Sequence, residues 1–173
     1  MIKLKGDKVY LRAVEPKDAT IMMLWENDIE NWHVSGTEIP FSLHQIQLYI
    51  EQAHNFRSTG QLRFIICNTN DDKPIGTIDL FDADFKHRRA GVGILIADSS
   101  ERGQGKAKQS IELLIDYTKK ILDLHQLYCY VEIENRESLA LFNSSGFRKV
   151  GILEQWNLKA GKRVDVVFFQ QIL

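Results

Sequence analysis

The chain has 173 residues, of which 44% are hydrophobic and 26% are charged, and its formal net charge at pH 7 is −1. This length and composition predict one globular domain, spanning residues 1–173, with a substantial core. The near-neutral charge offers no long-range attraction to nucleic acid or to an anionic membrane surface, so we expect neither as a partner. No apolar run approaches transmembrane length and the start lacks the apolar stretch of a signal peptide, which makes the cytoplasm the expected location.

The first half of the chain is predicted to alternate short strands with helices. Pro16 suits the first turn of a helix, and Ser42 suits the N-cap of another. A turn rich in Asn and Asp separates two strands that would form a hairpin. In chain order the predicted elements are a strand at 9–14, helices at 16–28 and 42–56, and strands at 62–67 and 75–81.

Residues 25–38 contain no Lys or Arg but hold four carboxylates and two tryptophans. One interpretation is a solvated helix end with one tryptophan packed inward. The other is an acidic, aromatic mouth that attracts a cationic amine, because carboxylates and tryptophan faces both favour ammonium groups. The acceptor-binding residues under the second interpretation are Glu26, Asp28, Glu30 and Trp32.

The central stretch is an apolar strand, Ala90 to Ala97, that leads through a glycine-containing turn into a long helix. The apolar run predicts a strand buried on both faces. The turn, 102–107, brings Gly103 and Gly105 to the helix start, where unpaired backbone N–H groups suit an anion. Neither the Walker A pattern nor the dinucleotide-binding pattern fits these positions. An ordinary strand–turn–helix with two glycines is the alternative.

The last third of the chain adds three more strands and a short helix. The predicted strands are 127–133, 147–158 and 163–173, and the helix is 139–143. Cys67 and Cys129 each lie inside an apolar run, so we expect buried free thiols, with neither a disulfide framework nor a metal site. One α/β domain with a mixed sheet accounts for every segment.

Several separated motifs resemble the GNAT superfamily of acyl-CoA-dependent N-acetyltransferases. The turn has the form Arg102-x-x-Gly105-x-Ala107, the next strand ends at Asn135, and Gly146-Phe147 follows the short helix. The opening residues and the terminal hairpin are similar to the spermidine/diamine and ribosomal-protein N-terminal acetyltransferase branch. The resemblance implies a single-domain α/β fold with a mixed sheet of about six to seven strands flanked by helices.

The resemblance also implies a site for acetyl-CoA, with no metal. The backbone of the central strand would hold the pantetheine arm, and the amides of the turn would hold the pyrophosphate. Asn135 would contact the pantetheine or fix the splay of the strands, although a helix N-cap is an equally good use of Asn there. Phe142 stands where many members carry a tyrosine that acts as general acid, so another group serves as the acid or none is needed. The implied cofactor-binding residues are Ile94, Leu95, Ile96, Arg102, Gly103, Gln104, Gly105, Lys106, Ala107, Asn135 and Phe142.

The implied reaction is direct attack by a primary amine on the acetyl group of acetyl-CoA. Glu132 and Asp79 are the candidate general bases, and each is also open to a purely structural interpretation. The acceptor is a small polyamine or diamine, an amino sugar or a protein N-terminus. The polyamine branch often has a carboxylate where this chain has Gly91, which weakens the transfer of spermidine as substrate. The alternative function is a CoA-binding regulatory module with little or no turnover, and a homo-oligomer stays open.

Overall fold

The computed structural model describes residues 3–35, 37–53, 55–159 and 161–173. The strands are β1 (Lys3–Lys5), β2 (Val9–Ala13), β3 (Leu62–Asn68), β4 (Pro74–Asp84), β5 (Arg89–Ile96), β6 (Gln126–Glu132), β7 (Arg148–Lys159) and β8 (Lys162–Ile172). The helices are α1 (Ala19–Glu26), α2 (Ile29–Ser35), α3 (Leu43–Gln52), α4 (Phe56–Thr59), α5 (Lys106–Lys120) and α6 (Arg136–Ser144).

These strands form one eight-stranded sheet in the order β1-β2-β3-β4-β5-β6-β8-β7. Neighbouring strands are antiparallel throughout, except that β5 and β6 run parallel with α5 as their crossover. The predicted α/β mixed sheet is confirmed. The strand count exceeds the predicted six to seven because β1, which has only three residues, is too short to give a periodic pattern.

Both faces of the sheet are covered, and the alternation along β3 shows how. Phe64 and Ile66 pack in the larger core with α5, whereas Ile65 and Cys67 pack in a smaller core on the opposite face. That smaller core is closed by buried side chains of α1 and α3, namely Ala19, Met22, Ile46 and Ile50. Strand alternation therefore divides the molecule into an α5 face and an α1/α3 face.

A local capping signal predicted the start of α3 correctly. Ser42 caps α3, accepting a hydrogen bond from the N–H of Gln45 at 3.2 Å, and the helix then ends at Gln52, earlier than predicted. Cys67 and Cys129 are buried free thiols, as predicted. The prediction missed α2, because residues 29–35 lie in the acidic segment that was interpreted as a helix end or a mouth.

Among the described residues, no helix is both long and apolar enough to span a membrane. The same residues contain no cluster of His, Cys, Asp and Glu side chains that could hold a metal ion.

Candidate active site

The site begins where β5 and β6 separate. Their ladder joins Arg89–Gly91 to Gln126–Tyr128, and β5 continues to Ile96 while pairing with β4 on its other side. Gly93, Ile94 and Leu95 are half-buried, so the prediction of a strand buried on both faces is wrong in this part. The physical reason is the divergence of β6, which leaves this edge of β5 facing a groove.

The groove has a volume of about 640 Å³ and runs from the edge of β5 across the turn before α5 to the side of α6. Its apolar wall is formed by Ile94, Leu95 and Ile96 on one side and by Ala140 and Leu141 on the other. A strand edge beside an apolar wall suits an extended chain that has amide groups of its own. The residues that line it are Ile94, Leu95, Ile96, Glu101, Arg102, Gly103, Gly105, Lys106, Ala107, Lys108, Asn135, Glu137, Ser138, Ala140, Leu141 and Ser144.

One end of this groove is the glycine turn. Gly103 and Gly105 adopt left-handed φ angles of 72° and 77°, which residues with a Cβ atom rarely adopt. Gly105 is the N-cap of α5 and no side chain caps it, so the first N–H groups of a 15-residue helix face the groove end. Since the helix dipole adds partial positive charge there, the turn fits a phosphate group.

The side chains of the turn mostly bind the protein itself. The Gln104 amide donates to the Ser100 carbonyl at 2.7 Å, and the Lys106 ammonium pairs with the carboxylate of Glu101. The ammonium of Lys8, which sequence reasoning missed, donates to the Gln104 carbonyl at 2.8 Å. The backbone of the turn is therefore the part best arranged for an anion, with Lys8 as additional positive charge.

Arg102 links the turn to two other elements. Its Nε donates to the Ile96 carbonyl at 2.9 Å, and one terminal nitrogen donates to Oδ1 of Asn31 on α2 at 3.2 Å. Asn31 is 1% exposed, so the exposed Arg102 side chain reaches a buried amide in this contact. Through these two hydrogen bonds, the Arg102 side chain connects the turn to the end of β5 and to α2.

Asn135 faces the groove, whereas Phe142 is buried in the core behind it. Asn135 lines the groove and also caps α6, accepting a hydrogen bond from the N–H of Ser138 at 3.0 Å, so the N-cap interpretation is confirmed. Phe142 is 4% exposed and packs edge-on against Phe147 at 5.1 Å, in the larger core. The Phe142 ring therefore lies in the core, whereas its neighbour Leu141 lines the groove.

On the α1/α3 face, a half-buried arginine joins two of the candidate carboxylates. Arg63 donates to Asp79 at 2.6 and 3.1 Å and to Glu26 at 2.7 Å, and it lies over the ring of Tyr49 at 5.1 Å. Burial raises the pKa of Asp79, while the charge and the hydrogen bonds of Arg63 act in the opposite direction. Glu26 adds to the rise because it is a second negative charge on the same cation.

Asp79 faces the place where the two parallel strands separate. It pairs with Gly93 in the β4–β5 ladder, and its Oδ2 lies 4.0 Å from the position that a Cβ on Gly93 would occupy. Glu132, the other candidate base, accepts hydrogen bonds from Lys159 at 2.9 Å and Asn157 at 3.1 Å in the terminal hairpin. Of the two carboxylates, Asp79 is the one set beside β5.

Comparison with known proteins agrees with this geometry. The family model of the acetyltransferase (GNAT) domain matches residues 8–148. The chain is a GNAT acetyltransferase. The uncharacterized N-acetyltransferase p20 of Bacillus licheniformis is 29% identical over 170 residues, or 98% of this chain and 95% of that protein. Spermidine N(1)-acetyltransferase of Vibrio cholerae is 30% identical over 120 residues, or 69% of this chain and 66% of that protein.

A solved structure extends the similarity to the whole fold. The crystal structure of spermidine N-acetyltransferase from Vibrio cholerae in complex with CoA and spermine has a TM-score of 0.85 at 25% identity and covers 96% of both chains. The resemblance to GNAT acetyltransferases, and to their spermidine/diamine branch, is confirmed.

In this acetyltransferase the groove residues fit CoA by their chemistry. An amide-rich arm needs an open strand edge, which β5 supplies, and a pyrophosphate needs converging N–H groups, which the glycine turn supplies. On the α6 side of the groove, the sequence predicted Asn135 but missed Ser138, Leu141 and Ser144. The spacing of apolar residues in α6 predicts its apolar face, but it does not show whether Leu141 faces a groove or the core.

The residues of the predicted acidic mouth lie in and around α2, with varied partners. The Glu26 carboxylate is bound to Arg63, and the Glu26 carbonyl accepts a hydrogen bond from Nε1 of Trp32 at 2.8 Å. Asp28 is exposed and accepts from the N–H of Glu30 at 3.0 Å, and Glu30 is itself exposed. Asp28 and Glu30 are therefore the members of this set whose carboxylates face solvent.

Proposed function

We propose that this GNAT acetyltransferase transfers the acetyl group of acetyl-CoA to a primary amine of a small diamine or polyamine by direct attack. The observation that carries this proposal is the Asp79 carboxylate, held by Arg63 beside Gly93 at the point where β5 and β6 separate. The activity of the Vibrio cholerae relative, a spermidine N(1)-acetyltransferase, supports the class of acceptor.

Acetyl-CoA supplies an activated acetyl group as a thioester, and the protein supplies position and charge. The turn 102–107 would hold the pyrophosphate, and the edge of β5 at Ile94, Leu95 and Ile96 would hold the pantetheine arm. Because the ladder between the parallel strands ends at Gly91 and Tyr128, an arm running along β5 from the turn would bring its thioester end toward Gly93. Backbone N–H groups of β5 are the donors available to a carbonyl oxygen there.

Asp79 is the base that we propose for the incoming amine. An alkylammonium ion must lose a proton before its nitrogen attacks, and a base works best when its pKa lies near the working pH. Burial raises the pKa of Asp79 toward the working pH, whereas the positive charge of Arg63 favours the ionised form of the carboxylate. No acid is required of Phe142, because a thiol with a pKa of about 8.5 leaves readily as a thiolate.

The test is release of free thiol from acetyl-CoA with a panel of amines, using two carboxylate variants as a matched pair. We expect turnover with diamines and polyamines above that with an amino sugar or an N-terminal peptide. Asp79→Asn should lower kcat by about 10²-fold or more, whereas Glu132→Gln should change kcat by only a few fold. The kcat of the wild type should fall as pH drops through the pKa of Asp79, because protonation removes the base.

Calorimetry with CoA serves as the control for folding, since Asp79 lies outside the groove lining and Asp79→Asn should keep the wild-type affinity. CoA binding without thiol release for any amine would contradict the proposed function. Full kcat in a folded Asp79→Asn variant would contradict the proposed base.

A further inference from the structure

Four aromatic rings form a contiguous patch on the sheet, which we call the aromatic platform: Phe81, Tyr128, Tyr130 and Phe168. Tyr128 contacts the other three, with ring centroids at 6.1 Å from Phe81, 5.6 Å from Tyr130 and 5.9 Å from Phe168. Tyr130 and Phe168 lie 5.2 Å apart. None of the four belongs to either hydrophobic core of the described residues, and Tyr130 is 48% exposed. A cluster of rings outside the core is available to a ligand.

The platform lies on the same face as Asp79, next to the separation of the parallel strands. Phe81 is two residues beyond Asp79 on β4, so both side chains point to one face. Phe81 pairs with Gly91, and Gly91 pairs with Tyr128. A Cβ on Gly91 would lie 2.3 Å from Cε2 of Phe81, so the ring fills the space above that glycine. The platform therefore continues directly from the side of β5 that Asp79 faces.

Two carboxylates flank Phe81 along β4, at one border of the platform. Asp79 is at the end near Gly93, and Asp82 is exposed beyond Phe81, where the β4–β5 register shifts. The three steps along the strand from Asp79 to Asp82 place their Cα atoms about 10 Å apart. Asp82 directly follows Phe81 in the chain, which places it at the Phe81 end of the platform, and its charge adds to the burial that raises the pKa of Tyr128.

Two ion pairs lie beside this surface. Asp84 pairs with Arg89 at 3.2 Å, and Glu132 pairs with Lys159 at 2.9 Å. These pairs contribute little net charge. Asp79 shares Arg63 with Glu26, so that cluster of two carboxylates and one guanidinium keeps a net negative charge, and Asp82 adds a second one. An apolar strip with a negative group at each end is complementary to a molecule that carries two cations joined by an apolar spacer.

Building on the proposed function, we infer that the aromatic platform holds the carbon chain of a diamine-type acceptor, with the reacting amine at Asp79 and the remote ammonium at Asp82. Methylene groups pack on the ring faces, and an ammonium near the rings gains cation–π attraction. Asp82 is then the residue that distinguishes a diamine from a monoamine. Phe81 is the ring between the two carboxylates, and Tyr130 is the most exposed ring of the platform.

A matched pair of acceptors tests this inference: 1,4-diaminobutane and butylamine, which differ only in the second amine. We expect the wild type to prefer the diamine in kcat/KM by about tenfold or more, and Asp82→Asn to lose most of that preference through a higher KM for the diamine. Tyr130→Leu should raise KM for both amines without changing the affinity for CoA. Glu112→Gln, an exposed carboxylate on the opposite side of the sheet, is the control and should keep the wild-type preference.

Three results would overturn the inference: equal use of the two amines by the wild type, an unchanged preference in Asp82→Asn, or a preference for phenethylamine over the diamine. The last result would assign the platform to an aromatic monoamine. Each of these requires turnover of some amine and leaves the proposed acetyl transfer intact. Absence of turnover with every amine would instead contradict the proposed function itself.

Discussion

At the scale of single residues, the chemistry of this acetyltransferase depends on partners that are distant in sequence. Arg63 holds Glu26, 37 positions earlier, and Asp79, 16 positions later. The sequence predicted Asp79 as a base and Glu26 as an acceptor ligand, but it could not show that one half-buried arginine binds both. That contact leaves Glu26 less available for an external cation and fixes the orientation of Asp79.

Phe142 provides a prediction at this scale. Its ring is buried against Phe147, so a hydroxyl added by Phe142→Tyr enters the core instead of the open part of the groove. We expect kcat to change by only a few fold and the free energy of unfolding to fall by about 1–3 kcal/mol, the cost of an unpaired buried hydroxyl. Steady-state kinetics and urea unfolding measure the two quantities. A gain in kcat near ~10²-fold would show that a missing acid limits the enzyme.

At the scale of elements, the glycine turn before α5 makes a prediction with a matched control. Gly103 in the turn and Gly161 in the β7–β8 hairpin have φ angles of 72° and 77°, and an added Cβ would meet nothing within 4 Å at either. Gly103→Ala and Gly161→Ala should each lose about 1–2 kcal/mol of stability, because both force a left-handed conformation on alanine. Only Gly103→Ala should also weaken CoA binding, measured by calorimetry. Equal affinity in the two variants would contradict the assignment of this turn to the pyrophosphate.

The elements also show how far sequence alone reaches. Periodicity and caps predicted the strands from β2 onward and the long helices, because those signals are local, as the Ser42 cap shows. The glycine turn was predicted for the same reason. Periodicity did not predict the half-exposed edge of β5, since this edge exists only because β6 diverges after Tyr128. The splay of the two strands was implied only by the family resemblance. The aromatic platform was missed because its rings come from β4, β6 and β8, and only the sheet order brings them together.

At the scale of the whole molecule, one buried ion pair fastens the α1 region to the sheet. Arg12 of β2 donates to Asp18 at 2.6 and 2.8 Å, and the N–H of Glu15 donates to the same carboxylate at 2.8 Å. Burial alone would raise the pKa of Asp18, but the hydrogen bonds from Arg12 and from the backbone N–H of Glu15 outweigh it, and the pKa is lowered. The pair therefore contributes stability above the unfolded-state pKa of Asp, about 3.9, and loses it as pH falls through the lower folded-state pKa.

This ion pair predicts how stability depends on pH. Asp18→Asn should lose about 3–5 kcal/mol at pH 7, because it leaves the Arg12 charge buried without its carboxylate. The difference from the wild type should shrink below about pH 3. Urea unfolding at both pH values measures it, with Asp116→Asn as the control. Asp116 pairs with Lys120 at the surface, so its replacement should cost less than about 1 kcal/mol. A pH-independent loss in Asp18→Asn would contradict the account of this pair.

The central claim, that the groove and Asp79 together carry out acetyl transfer to a diamine, is tested most directly by following a labelled acetyl group. The protein is incubated with acetyl-CoA labelled with carbon-13 in the acetyl group and with 1,4-diaminobutane, and the product is identified by mass spectrometry and NMR. We predict label in an amide on one primary nitrogen of the diamine, formed in step with the release of free thiol and nearly abolished by Asp79→Asn. Label recovered only as free acetate, or only in unreacted acetyl-CoA, would contradict the account.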